Sequence, residues 1–312
     1  MKLTKFIKST GKRALHKMGW ELQRITEKDT GKFKEPPPII DDPLKALLLR
    51  QTGTRVAFNC PIEFCRNELG FGYGSNEWHP FVATLKQYEQ NNNLQYNDSI
   101  LKHYYESWQP TNAAEAFAGF EQAPKKFLQL PPYCALLVPW KSKTPESLSA
   151  NMARWRKSDY REHGRSDLQW EKDGLNLFGP VSDELGKFEF TRLKKIYDRL
   201  KTEGYDRHHG DIGVMIVRKG KYYRFLNANG GIHRCAAMAA LGFRKFPAQF
   251  KASYFIADTK DATRWPHVLS GLWSEKSALA YVEYLFSFDS RSWVRDMDFP
   301  NLNLRSPKNG SV

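Results

Sequence analysis

Asn227-Ala228-Asn229-Gly230-Gly231-Ile232-His233-Arg234 is the stretch on which the fold of this chain turns. It leaves a β-rich run, Tyr222 to Leu226, and enters a small-residue segment, Ile232 to Leu241, that reads as a helix ended by Gly242. Two adjacent glycines let a backbone come close to a ligand, and the free amides at a helix start favour an anion. His233 and Arg234 lie in the first turn, where the helix dipole disfavours positive charge. Cations there make physical sense when a phosphate sits between them and the amides, with the guanidinium giving a forked contact.

Outward from that loop the pattern is dense. Glu189 to Glu203 predicts a helix, with Leu193, Ile196, Tyr197 and Leu200 on one face and Gly204 as its stop. Ile212 to Val217 and Tyr222 to Leu226 predict two strands joined through Arg218-Lys219-Gly220-Lys221 as a hairpin. Phe246 to Phe250 predicts a further strand, with Pro247 at an edge or first position. The order is helix, strand, strand, helix, strand.

Gly230-Gly231-Ile232-His233-Arg234, followed by Ala236, Ala237, Leu241-Gly242 and Pro247, resembles the nucleotide-binding motif of the ParB/sulfiredoxin superfamily over roughly residues 180–256. The resemblance implies an α+β fold and a nucleotide phosphate site formed by Asn229, Gly230, Gly231, His233 and Arg234. The loop is most similar to that of sulfiredoxin, but Ile232 stands where that family has its catalytic cysteine, so sulfinic acid reduction is not expected. Other relatives bind and hydrolyse CTP or transfer phosphate from ADP to a small hydroxyl. The partitioning proteins add a helix-turn-helix module; here Ser253 to Phe286, with Trp265-Pro266, Trp273 and one amphipathic helix near Ser277 to Phe286, shows no such pair, so sequence-specific DNA binding is not expected.

Asp206-Arg207-His208-His209-Gly210-Asp211 precedes the first strand of the hairpin and, under this fold, lies near the mouth of the phosphate site. A hydroxyl acceptor needs a general base, and a metal on a nucleotide takes carboxylate oxygens. Asp206, His208, His209 and Asp211 are the candidates, with Glu189 and Glu203 behind them. A solvated connector that only caps a strand is the plain alternative. His208, His209, His233 and Cys235 fit no familiar zinc spacing.

Upstream, Glu35-Pro36-Pro37-Pro38 reads as a linker. Beyond it Thr54 to Phe58 predicts a strand, Phe81 to Glu89 and Ser99 to Trp108 helices, Tyr133 to Val138 a short buried strand stopped by Pro139, and Ser147 to His163 a polar helix. Gly70-Phe71-Gly72-Tyr73-Gly74 reads as a flexible turn rather than a phosphate loop. Trp78, Trp108, Trp140 and Trp155 are expected mostly in the core or at an interface, although aromatics beside Gln109 and similar polar groups also suit sugar stacking. The polar stretch 164–174 is the best boundary, giving segments 1–35, 36–165, 166–290 and a tail, 291–312.

From Leu3 to Ile25 an apolar stripe alternates with lysines, an amphipathic helix that suits an anionic membrane surface or packing on its own protein. Seven bases against Glu21 in residues 1–25 account for +6 of the +14 net charge of the 312-residue chain. The remaining charge is spread thinly, unlike that of a duplex-DNA reader. Four scattered cysteines exclude a disulfide framework, and no apolar run approaches the ~20 residues of a membrane span. With no signal-peptide pattern, a cytoplasmic location is expected, with peripheral attachment to the inner membrane face as an option. Together these readings point to a phosphotransferase using ATP or another nucleoside di- or triphosphate with Mg²⁺, acting on a hydroxyl of a small molecule or saccharide in cell-envelope polysaccharide synthesis. The alternative is a CTP- or ATP-binding switch or adaptor, on DNA or at a membrane, with little turnover.

Overall fold

Ile212 to Val217 are buried without interruption, the pattern of a strand with neighbours on both sides. In the computed structural model, which describes residues 35–227, 230–251 and 255–297, this run is the centre of a mixed sheet. β4 (Ile212–Lys219) forms an antiparallel hairpin with β5 (Tyr222–Asn227), turning at Gly220 with φ 58°. On its other side β4 pairs in parallel first with β6 (Lys245–Phe250) and then with β7 (Ile256–Asp258). β2 (Ala57–Pro61) runs antiparallel to β6, β1 (Ile39–Ile40) lies parallel to β2, and β3 (Cys65–Arg66) lies parallel to β5. The order is β1-β2-β6-β4-β5-β3, with β7 on β4.

Pro247 faces Asn59 of β2, and the ladder to β4 begins only at Ala248, so β6 has one neighbour at the proline. That is the edge-like setting a missing donor tolerates. The first strand expected, 54–58, starts later, at Ala57, and continues to Pro61.

Eight helices of seven residues or more occur among the described residues: α1 (Pro43–Gln51), α2 (Pro80–Gln90), α3 (Ile100–Ser107), α4 (Pro145–Glu162), α5 (Asp183–Glu203), α6 (Ile232–Ala240), α7 (Glu275–Ser287) and α8 (Ser290–Asp296). α5 begins six residues before the expected Glu189, because the Ser182 hydroxyl caps the Leu185 amide and Asp183 and Glu184 complement the dipole. Gly204, at φ 76°, ends it. α6 is built of small side chains, and it packs between α2 and α5. The expected sequence of helix, strand, strand, helix, strand is present as α5, β4, β5, α6 and β6.

The described residues from Pro36 onward share one main core. Phe58 of β2 stacks on Phe250 of β6 at 4.8 Å and lies 5.3 Å from Phe225 of β5. Segments on either side of the expected boundary at 164–174 therefore contribute neighbouring strands to one sheet. A satellite cluster, Tyr160, Leu168 and Leu185, lies around that stretch.

Three local expectations change. Tyr133 to Val138 is not a strand: Pro132–Leu136 is a 3₁₀ turn, since two prolines set helical φ and remove donors a ladder would need. Gly70 to Tyr73 is a buried turn rather than a flexible one, with Gly70 at φ 99° beneath Tyr284. Trp78, Trp108 and Trp140 are buried in the core, and Trp155, 54% exposed beside the Arg156 guanidinium, keeps to the surface setting that the sequence also allowed. The expected tail begins with helix α8, whose Val294 is buried and whose Trp293 packs on Phe71 and Trp108. The amphipathic segment 1–25 and residue Asn229 lie outside the described residues.

Candidate functional site

Helix α6 starts at Gly231, whose left-handed φ of 94° suits only glycine; an added Cβ there would come within 3.0 Å of Ile212 Cγ2. Gly230 shares the conformation, φ 97°, but faces open space. The contact with Ile212 sets the helix start directly against the beginning of β4, so the 206–211 loop and the glycine turn meet as the sequence led us to expect.

Arg234 points to that loop. Its Nη1 donates to the Gly210 carbonyl at 2.6 Å, and its guanidinium lies 5.8 Å from the Tyr205 ring centre. Lys251, just after β6, donates to the next carbonyl, Asp211 O, at 2.7 Å. Burial lowers the Lys251 pKa; Asp211 opposes this, and the nearby Arg234 and Arg55 add to it. Lys251 also lines a cavity of about 290 Å³ with Arg50, Arg55 and Gln249. Arg50 donates to the Phe250 carbonyl and lies over the Phe255 ring at 5.1 Å. Arg234 and Lys251 thus hold adjacent carbonyls of the loop beside the helix start, and Arg50 and Arg55 share the cavity of Lys251.

Their local counter-charge is already engaged. The Asp211 side chain is fully enclosed and receives Arg207 Nε at 2.9 Å, Arg207 Nη2 at 2.8 Å and Gln249 Nε2 at 2.9 Å. Arg207 also holds the Pro37 carbonyl at 2.7 Å, tying the loop to the segment before β1. With both oxygens taken, Asp211 fixes the loop; it is not positioned to receive a substrate proton or a metal.

His233 likewise differs from its expected role. It is 9% exposed, stacks on Phe81 of α2 at 5.1 Å, and its Nε2 meets Glu189 Oε2 of α5 at 2.5 Å. Burial pushes the Glu189 carboxyl up, but the charge and hydrogen bond of His233, with Arg156 and Arg192, outweigh this and hold it at about 2. Asn176 donates to the same oxygen at 3.0 Å and is itself bonded by Arg156. His233 therefore clamps α6 to α5 and α2, while Arg234, one residue on, reaches the surface loop. A separation of about 100° per residue on a helix sends adjacent side chains to different places.

Asp206 is half-buried, with its carboxylate reaching solvent. Its carboxylate caps the short turn Arg207–His209 and contacts both imidazoles, His208 Nδ1 at 2.9 Å and His209 Nδ1 at 2.7 Å. The His208 backbone and side-chain hydrogen bonds hold the Asp206 carboxyl at about 2, so it stays ionised. A carboxylate that accepts the Nδ1 proton leaves Nε2 as the basic nitrogen of a neutral imidazole, the arrangement of a proton acceptor oriented by an acid. His209 Nε2 lies 3.4 Å from Arg199 Nη1, and Glu203 is paired with Arg199 at 2.9 Å.

Arg50, Arg55, Lys251, Gln249 and Arg207 were not singled out by sequence. Nothing local distinguishes the basic ones among 48 Lys and Arg residues, and it is the pairing of β6 with β2 that brings positions near 50 and 250 together. Among the described residues, no group of three or more acids, histidines or cysteines is placed to hold a metal ion. Comparison of the chain with family models, with curated proteins and with solved structures returns no match. Among the described residues, no helix is long and apolar enough to cross a membrane.

Proposed function

We propose that the protein binds a nucleoside di- or triphosphate at the start of α6 and transfers phosphate to a hydroxyl acceptor, a saccharide or polyol. The observation that carries this reading is the placing of Arg234 and Lys251 on adjacent carbonyls beside a glycine-capped helix start, with Arg55 and Arg50 sharing a cavity with Lys251 and the enclosed Asp211 already paired. Like charges at such proximity repel, and an anion between them relieves the repulsion. The amides of the Gly230–Gly231 turn would hold one phosphate and the cations its neighbours. His208 or His209, oriented by Asp206, would accept the acceptor's hydroxyl proton. Mg²⁺ would arrive on the nucleotide phosphates, and no step is assigned to it.

In the same reading, residues 180–256 form a ParB/sulfiredoxin-like domain, supported by the glycine turn and the order of elements from α5 to β6. The basic segment 1–25 would attach the protein to anionic lipid; flotation with anionic but not neutral vesicles at low salt tests this.

The decisive experiment incubates the protein with Mg²⁺ and ATP, ADP or CTP, with and without polyol and sugar acceptors, following phosphate release and transfer. Arg234→Ala should weaken nucleotide binding at least about tenfold with unchanged melting. Tight binding without turnover would overturn the transfer step and leave a nucleotide switch. Absence of binding, unaltered by Arg234→Ala, would overturn the site itself.

A further inference from the structure

A second cavity, of about 630 Å³, opens between the end of α3, the 109–128 segment and α8. Its floor is aromatic, formed by Trp108, Phe117, Phe120 and Trp293. Trp108 and Trp293 meet edge to face at 5.3 Å, and Phe117 and Phe120 do the same at 5.8 Å, so the rings are braced by one another. Gly119, at φ 68°, runs along the Trp293 ring, where an added Cβ would lie 3.5 Å from Cδ1. The volume is in the range that takes a small multi-ring ligand.

The rim is polar and nearly balanced in charge. Glu115 is fully used within its own turn, accepting Thr111 N at 2.7 Å, Thr111 Oγ1 at 2.8 Å and Asn112 Nδ2 at 2.8 Å. Gln109 spends its amide N–H groups on the Tyr105 and Glu106 carbonyls and keeps its own carbonyl as an acceptor. Glu121, Lys125 and Ser107 complete the polar edge, so acceptors and donors both face the opening. Two acids against one lysine give this cleft a slight negative charge in a strongly basic chain. Phosphate-bearing ligands are disfavoured here. A purely apolar ligand would strip water from the rim groups without replacing their hydrogen bonds.

A ligand with one apolar C–H face and an edge of hydroxyls satisfies both parts of this surface. We propose that the cleft is a binding site for a neutral saccharide, with the pyranose face on the Trp293 side and hydroxyls bonded by Glu121, Gln109 and Lys125. This inference stands apart from the phosphate reading: the packed rings of Phe81, His79 and Phe71 lie between His233 and Trp108.

The test is a microarray of neutral and acidic glycans probed with the full chain, followed by calorimetric titration of the best neutral oligosaccharide. Binding of neutral glycans is expected, weakened at least about tenfold by Glu121→Gln combined with Gln109→Ala. Both positions are exposed, so ATP binding of that variant should match the wild type, with melting lowered only slightly by the loss of Gln109's bonds to the Tyr105 and Glu106 carbonyls. A second variant, Lys125→Ala, should weaken binding without exposing the core. The proposal is overturned if no neutral glycan binds above background, if binding survives these changes, or if tetramethylammonium binds the cleft in preference to sugar, as a cation cage would require. ATP binding measured on the same preparations separates failure here from failure of the phosphate site.

Discussion

Replacing His233 with alanine should unfold the protein more readily rather than simply weaken its ligand. The variant leaves the Glu189 carboxylate buried, 0% exposed, without its nearest counter-charge. Removing one partner of such a pair costs about 3–5 kcal/mol. The carboxyl points the same way: against the rise that burial imposes, His233, Arg156 and Arg192 hold it at about 2 on folding, so its ionised form adds stability at neutral pH. Because the folded value lies below the unfolded one, that stability is present above about pH 4.5 and is lost as pH falls toward about 2. Urea denaturation at pH 7 should show the loss for His233→Ala, and the stability gap between wild type and Glu189→Gln should narrow as pH is lowered through that window. Glu189→Ala with His233→Ala should cost less than the two single changes summed, since neither then strands the other. A His233→Ala protein of undiminished stability but greatly reduced nucleotide affinity would refute the clamp and restore His233 as a phosphate ligand.

Other outcomes follow from the same geometry. Gly231→Ala combines a left-handed φ with a contact on Ile212, so it should cost about 2–4 kcal/mol, against about 1–2 kcal/mol for the open Gly230→Ala; urea midpoints compare them. Gly70→Ala would drive its Cβ to 2.2 Å from the Tyr284 hydroxyl, which bonds the Leu69 carbonyl, and should cost about 3 kcal/mol or more. An anion beside Lys251 restores the proton that burial disfavours, so inorganic phosphate should bind more weakly as pH rises toward the lysine range. Lys251→Arg should shift that loss to higher pH, which titration calorimetry in buffers of different ionisation enthalpy reads directly; a binding constant flat with pH would refute the role of Lys251.

Six of the eight helices, the hairpin and the order from α5 to β6 were legible because each rests on local chemistry: a 3.6-residue apolar period, Gly220 between two β-rich runs, and Gly204 and Gly242 after the last helical residues, whereas α1 and α8 were not expected. The turn at Pro132 was misread since a short apolar run lacks a distinguishing period, and its two prolines carried the better signal.

At the candidate site, the sequence by itself determined that glycines precede a helix start carrying His233 and Arg234, and that an acidic and histidine-rich loop lies before β4. Tertiary structure decided how those side chains divide. His233 turns inward to Glu189, Arg234 turns outward to Gly210, Asp211 is consumed by Arg207, and Lys251 meets Arg50 at the end of helix α1 and Arg55 in the loop after it, two hundred positions away in sequence. The reason is that residue type and spacing fix where a backbone can turn, whereas the partner of a charge is whichever opposite or polar group the packed chain brings within about 3 Å.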